Sequence, residues 1–159
     1  MAVHLVRHAD SLPRHRWSDA DDFRPLSERG KAEAAGIVDQ FDGRPVARIL
    51  SSPAVRCVTT VEPLARAFAI EVELAPTLFE GGDPYGLADE WFAEAHPEGI
   101  VLCSHGEVIP ELLRILRARS VDLRGGGWGR CAKGSTWTIE DGVAVYTEPP
   151  AVPSPHRAR

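Results

Sequence analysis

Val3-His4-Leu5-Val6-Arg7-His8-Ala9-Asp10 is the stretch that decides the fold. Its short apolar run, rich in valine and leucine, reads as a buried strand that stops abruptly at an arginine and a histidine. In open α/β sheets, ligands bind where loops leave the carboxyl ends of the strands. Arg7 and His8 stand at such an end. A guanidinium can fork onto phosphate oxygens, and an imidazole beside it can act as a nucleophile. Taken alone, the dipeptide fits a strand ending in two solvated polar residues better. The remainder of the chain has to decide.

The 159 residues, 43% apolar and 26% charged, suit one globular domain with a proper core. A net charge of −5 argues against a nucleic-acid or membrane-surface partner held by bulk charge. No apolar stretch is long enough to cross a bilayer and Met1-Ala2 runs straight into the first strand without a signal-peptide pattern, so a cytoplasmic location is expected. Cys57, Cys103 and Cys131 are far apart and form no metal-ligand pair or redox dithiol motif. Neither a metal nor an organic cofactor is expected.

Outward from the first strand, the polar segment Asp10–Pro25 carries Arg14, His15, Arg16, Trp17 and Arg24, and a loop of this length is often functional. Ser27 is a suitable N-cap for a helix to about Phe41, with Ala32, Ala35, Gly36 and Val38 on one face. Val46–Leu50 is the next strand. Ser52-Pro53 signals a helix start, Ser52 as cap, and that helix runs to about Phe68. Arg56 lies in its first turn, where a cation opposes the macrodipole and calls for an anionic partner, a ligand or a carboxylate elsewhere in the chain.

A short strand at Glu71–Leu74 leads to an irregular loop with two carboxylates, Glu80 and Asp83. A short helix follows from about Tyr85 to Ala95, packing through Leu87, Trp91 and Phe92. Ile100–Cys103 is a buried strand, and His105 stands at its end, just where a helix striped with Ile109, Leu112, Leu113 and Leu116 begins. Arg119–Lys133 is glycine-rich and reads as a flexible connection. Asp141-Gly142 between Ser135–Ile139 and Val143–Tyr146 is a strong hairpin signal. The domain is expected to span 1–148, and the proline-rich tail 149–159 to be disordered.

Strands alternating with helices predict an α/β fold: three layers, α/β/α, with a mostly parallel central sheet and a C-terminal β-hairpin. In such a sheet the ends of the first, second and fourth strands can share one rim. That rim would carry Arg7 and His8, then Arg56, then His105, with the Glu80 loop above it. Two arginines and two imidazoles can neutralise charge on the oxygens of a phosphoryl group while one histidine attacks phosphorus and a carboxylic acid protonates the leaving oxygen.

Leu5-Val6-Arg7-His8-Ala9, Ser51-Ser52-Pro53-Ala54-Val55-Arg56 and Leu102-Cys103-Ser104-His105-Gly106 resemble the three signature segments of the histidine phosphatase, or phosphoglycerate mutase-like, superfamily. The likeness implies that His8 is the nucleophile that becomes a phosphohistidine. It implies that Arg7, Arg56 and His105 bind the phosphate, His105 also taking part in catalysis, and that Glu80 is the proton donor, with Asp83 its rival. Ala9-Asp10-Ser11 in place of the glycine-first version of the mutases, and the short chain, are more similar to the small SixA-type branch. Leu26–Gly30, Val108–Leu113 and Lys133–Trp137 also resemble the phosphatase domain fused to Nudix hydrolases in some actinobacteria, though no Nudix signature occurs.

The function expected is a metal-independent phosphatase acting on a phosphoric monoester or nucleotide-type phosphate. The alternatives are a protein phosphohistidine phosphatase and a non-catalytic phosphate-binding regulatory module. The expected partner is a small-molecule phosphate or a phosphoprotein. Arg14 and Arg16 are candidates for reading the rest of it, such as a second phosphate or a carboxylate, against the plainer reading of solvated loop charges.

Overall fold

In the computed structural model, residues 2–94, 99–124 and 129–153 are described. Strands and helices alternate as β1 (Ala2–Arg7), α1 (Glu28–Gln40), β2 (Arg48–Ser51), α2 (Val55–Phe68), β3 (Val72–Leu74), α3 (Pro84–Phe92), β4 (Ile100–Ser104), α4 (Val108–Ala118), β5 (Asp122–Arg124), β6 (Thr136–Glu140) and β7 (Val143–Thr147). They form one sheet in the order β3-β2-β4-β1-β6-β7-β5. β3, β2, β4 and β1 are mutually parallel, whereas β6 runs antiparallel to both β1 and β7. This is the expected mostly parallel sheet closed by a hairpin.

The period of two along each strand sorts side chains into two cores. Leu5, Leu50 and Leu102 pack with Leu87 and Trp91 of α3 and Leu112 and Leu116 of α4. Val6, Ile49, Val101 and Cys103 face Ile37 and Phe41 at α1 and Val61 and Leu64 of α2. The α/β/α layering follows directly. Because β2, β4 and β1 are neighbours, their carboxyl ends lie side by side: Ser51 is opposite Cys103, and Arg7 is opposite Ser104.

Several local expectations need correcting. The buried face of α1 is Gly30, Glu33, Ala34 and Ile37, while Ala32 and Ala35 are exposed. The reason is a backbone approach that periodicity of apolar residues cannot show: a Cβ on Gly30 would lie 1.8 Å from the Asp10 carbonyl oxygen. Ser27 does cap α1, accepting from the Gly30 N–H, a contact worth about 1 kcal/mol. Ser52 does not cap α2. Ala54 holds that position, two residues later, and the Ser52 hydroxyl lies against His105 instead. Within the expected flexible connection, Asp122–Arg124 forms β5 against β7; residues 125–128 lie outside the described ones. The Asp10–Pro25 segment holds two 3₁₀ turns, Arg14–Arg16 and Asp21–Phe23.

Asp141 and Gly142 both take positive φ, 50° and 75°, as a two-residue hairpin turn requires. Of the tail, Pro150 lies against Gly36 of α1 and the Glu148 carbonyl accepts from Gln40 Nε2; residues 154–159 lie outside the described ones. Among the described residues, no helix is long and apolar enough to cross a membrane.

Candidate active site

β1 and β2 continue to pair with β4 past their last strand residues. The His8 N–H donates to the Ser104 carbonyl at 3.0 Å, and the Ser52 N–H donates to that of Cys103 at 3.0 Å. These two bonds fix the backbone from which the floor of the site is built. His8, Arg56 and His105 are all buried there, and the His8 and His105 rings meet edge-on with centroids 5.6 Å apart.

Nδ1 of His8 lies 2.8 Å from the Ala9 carbonyl oxygen. A carbonyl can only accept, so Nδ1 carries the proton and Nε2 keeps its lone pair. Burial pushes the His8 imidazole down to about 3; the Ala9 hydrogen bond works the other way, and Arg56, His105 and Arg7 add to the lowering. His8 is therefore neutral and nucleophilic at pH 7.

Arg56, 1% exposed, donates through Nη1 to the Asp21 carbonyl at 2.9 Å. Its Nη2 lies 3.2 Å from Asp21 Oδ2 and 3.1 Å from Glu80 Oε1. Two carboxylates thus answer the expectation of an anionic partner. Glu80 Oε1 is also 3.2 Å from His105 Nδ1. The other ring nitrogen, Nε2, pairs with Ser52 Oγ at 2.8 Å, and that oxygen already accepts from the Ala54 N–H. Ser52 can then give its own proton to Nε2, while Nδ1 lies between the Glu80 carboxylate, an acceptor, and Arg56 Nη2, a donor 3.4 Å away.

Arg7 is anchored by Nη1 to the Cys131 carbonyl at 2.6 Å. Its guanidinium lies on Gly106, where a Cβ would come within 2.6 Å of Cζ. The Nε atoms of Arg7 and Arg56 are buried without a hydrogen-bond partner among the described residues. Unanswered guanidinium N–H groups suit an anion with several oxygens.

A cleft of about 490 Å³ opens above this floor, far more than one phosphoryl group fills. Arg7, His8, Glu80 and Gly106 line it, and so do Arg14, Arg24, Glu107 and Lys133 from its mouth. Of the two expected substrate readers, Arg14 lines the cleft, loosely paired at 3.9 Å with Asp21. Arg16 is exposed and does not line it. Asp83 is occupied elsewhere: its Oδ1 accepts from the Tyr85 N–H as the cap of α3.

Sequence reasoning missed Asp21, Arg24, Ser52, Glu33 and Lys133. Arg24 is buried and ties the first loop together, donating to Ser11 Oγ, the Leu12 carbonyl and Asp21 Oδ1. Burial raises the Asp21 carboxyl, but the Arg24 hydrogen bond and the charges of Arg56, Arg24 and Arg14 outweigh it and hold the group below its usual range. The Asp21–Arg24 spacing in a polar loop was the one available signal. Lys133, just before β6, reaches Asp10 Oδ1 at 3.5 Å.

Residues 3–98 match the family model of the histidine phosphatase superfamily, branch 1. The chain belongs to the histidine phosphatase superfamily. It is 33% identical over 93% of its length to the 8-oxo-(d)GTP phosphatase of Mycolicibacterium smegmatis, of which it spans 48%. Its fold is similar to that of the phosphohistidine phosphatase SixA proposed in Agrobacterium tumefaciens, with a TM-score of 0.73 at 23% identity, covering 93% of this chain and 98% of that one. It is also similar to a phosphoserine phosphatase of Entamoeba histolytica, TM-score 0.66 at 17% identity, covering 95% and 97%.

Proposed function

We propose that the protein hydrolyses a phosphoric monoester or nucleotide-type phosphate without a metal, through a phosphohistidine on His8, with Glu80 as proton donor. One observation carries the reading: His8 is held neutral with its proton on Nδ1, among two arginines and a second histidine. In the first step His8 Nε2 attacks phosphorus, the bond to the leaving oxygen breaks, and Glu80 gives that oxygen a proton. Arg7, Arg56 and His105 Nδ1 stabilise the phosphoryl oxygens as charge shifts onto them. The phosphoryl oxygens compete with Asp21 and Glu80 for Arg56, which frees Glu80 to face the leaving group. Water then attacks the phosphohistidine, Glu80 takes its proton, and phosphate leaves.

An ester or phosphoanhydride substrate is favoured over a phosphohistidine protein by the placing of Glu80. An imidazole leaving group needs a protein acid less than an alkoxide does. Arg14 and Lys133 at the mouth suit a second anionic group on the substrate, and the M. smegmatis relative, whose name states a nucleotide substrate, supports that class. The test is a rapid-quench experiment with a generic phosphate ester in the presence of a chelator. An acid-labile, base-stable phosphoenzyme is expected, absent in His8→Asn. Turnover without a phosphoenzyme, or wild-type turnover by His8→Asn, would overturn the mechanism.

A further inference from the structure

Glu33 is 2% exposed, a carboxylate side chain taken out of water on the face of α1 that packs below the site. Such burial demands a partner. Its Oε1 accepts from the Asp10 N–H at 2.9 Å. That N–H belongs to the same peptide unit whose carbonyl, that of Ala9, accepts from His8 Nδ1 at 2.8 Å. The nucleophilic imidazole and the carboxylate therefore sit at the two ends of one amide: Nδ1–H to O=C–N–H to Oε1.

We infer that Glu33 is a positioning residue for the His8 nucleophile, acting through the Ala9–Asp10 peptide. Hydrogen bonds in a chain polarise one another. An acceptor on the amide N–H draws electron density toward the Ala9 oxygen and makes it a stronger acceptor for the imidazole proton. When Nε2 bonds to phosphorus the ring becomes cationic, and the same chain stabilises the charge that develops. The proton stays on Nδ1 throughout, and the leaving oxygen takes its proton from Glu80.

The rest of the peptide's surroundings serve its orientation. The Ala9 N–H donates to Thr60 Oγ1 at 2.9 Å, and that hydroxyl donates to the Arg56 carbonyl at 2.6 Å. The Asp10 carbonyl accepts from the Ser27 N–H at 3.0 Å. Asp10 is thus gripped by α1 at both its N–H and its carbonyl. Gly30 allows the approach, and Glu33 supplies the acceptor.

This rests on the phosphohistidine reading. The test compares Glu33→Met, which keeps the length of the side chain without an acceptor, with Glu33→Gln, which keeps an acceptor. In rapid-quench kinetics, Glu33→Met is expected to slow formation of the phosphoenzyme about 10- to 100-fold, the span typical of a partner that orients a reacting side chain. KM should stay within about threefold, since the phosphate ligands are untouched. Glu33→Gln should restore the rate to within about threefold. The His8 Nδ1–H resonance should move upfield in Glu33→Met and return in Glu33→Gln, a change that a purely structural role would not produce. Thermal melts report folding of both variants.

A folded Glu33→Met with a wild-type phosphorylation rate would overturn the inference, and so would a Glu33→Gln variant as slow as Glu33→Met. If Glu33→Met fails to fold, Glu33→Gln decides alone: an unshifted Nδ1–H signal and near-wild-type rate support the inference, and loss of both overturns it. A wild-type protein that forms no phosphoenzyme would instead overturn the underlying mechanism.

Discussion

The floor and the mouth of the cleft are built in opposite ways. On the floor, His8, Arg56 and His105 are almost fully buried, on backbone fixed where β1 and β4 end and α2 begins. At the mouth, Arg14 has a side chain 70% exposed and Lys133 one 43% exposed, each with a single carboxylate at 3.5 Å or more. The floor is preorganised for a charge that every substrate of the class carries. On the proposed reading, the mouth meets the part of the substrate that varies, with exposed side chains. Chemistry is kept in the sheet and selection is left to the loops.

The sharpest break of this contrast is at Glu80, which belongs to the floor by its contacts yet is 27% exposed. Glu80→Gln should slow kcat on oxygen esters about 10²–10⁴-fold while a phosphohistidine substrate loses far less; equal losses on both would remove Glu80 from the role of acid. Next comes Gly106→Ala, whose added Cβ would collide with the Arg7 guanidinium. A displacement of about 1 Å at a catalytic group can cost on the order of 10²-fold in kcat/KM, so steady-state kinetics near the wild-type value would show that Arg7 is not held as tightly as the floor requires.

At the mouth the effects are smaller. A double Arg14→Ala, Lys133→Ala variant should raise KM for a substrate with two anionic groups by about tenfold or less, leave kcat alone and weaken the salt dependence. Arg16→Ala should change neither constant. A large fall in kcat from the double variant would mean that the mouth takes part in the chemistry.

The last break is read in stability rather than in rate. His8 is held down to about 3 and His4, buried against Thr138 and Phe41, down to about 4, by burial first and then Arg44. Both ordinarily titrate near 6.5. Between those values the unfolded chain binds protons that the folded chain refuses, so stability is complete above pH 6.5 and declines as pH falls toward 4 and then 3. Tm should drop across that window, less steeply in His8→Asn, and a flat profile would show that the two rings are not shut away from protons.

The floor was legible because its residues recur at one kind of place, the end of a buried strand or the start of the next helix. Arg7, His8, Arg56 and His105 all obey that rule, and the strand order β2-β4-β1 brings them together. What escaped depends on partners distant in sequence. Ser52 reads as a helix cap until His105 is seen to need its hydroxyl. Glu33, a charge between two alanines, gives no signal in the sequence; its role depends on Gly30 letting α1 settle on the Asp10 backbone. Asp21 and Arg24 sit in a loop with no periodicity to read.

β1 lies between β4 and β6, and the segment before β6 closes onto its end: the Arg7 N–H donates to the Ser135 carbonyl, and the Gly134 N–H donates to the carbonyls of Arg7 and His8. Within this sheet, the first strand in sequence is consequently completed by one of the last. Contacts spanning that much sequence are slow to form, and on the ribosome β1 must wait, half paired, until β6 has emerged. A nascent chain stalled before β6 thus carries all three signature segments while the strand that ends beside His8 is still open on one side.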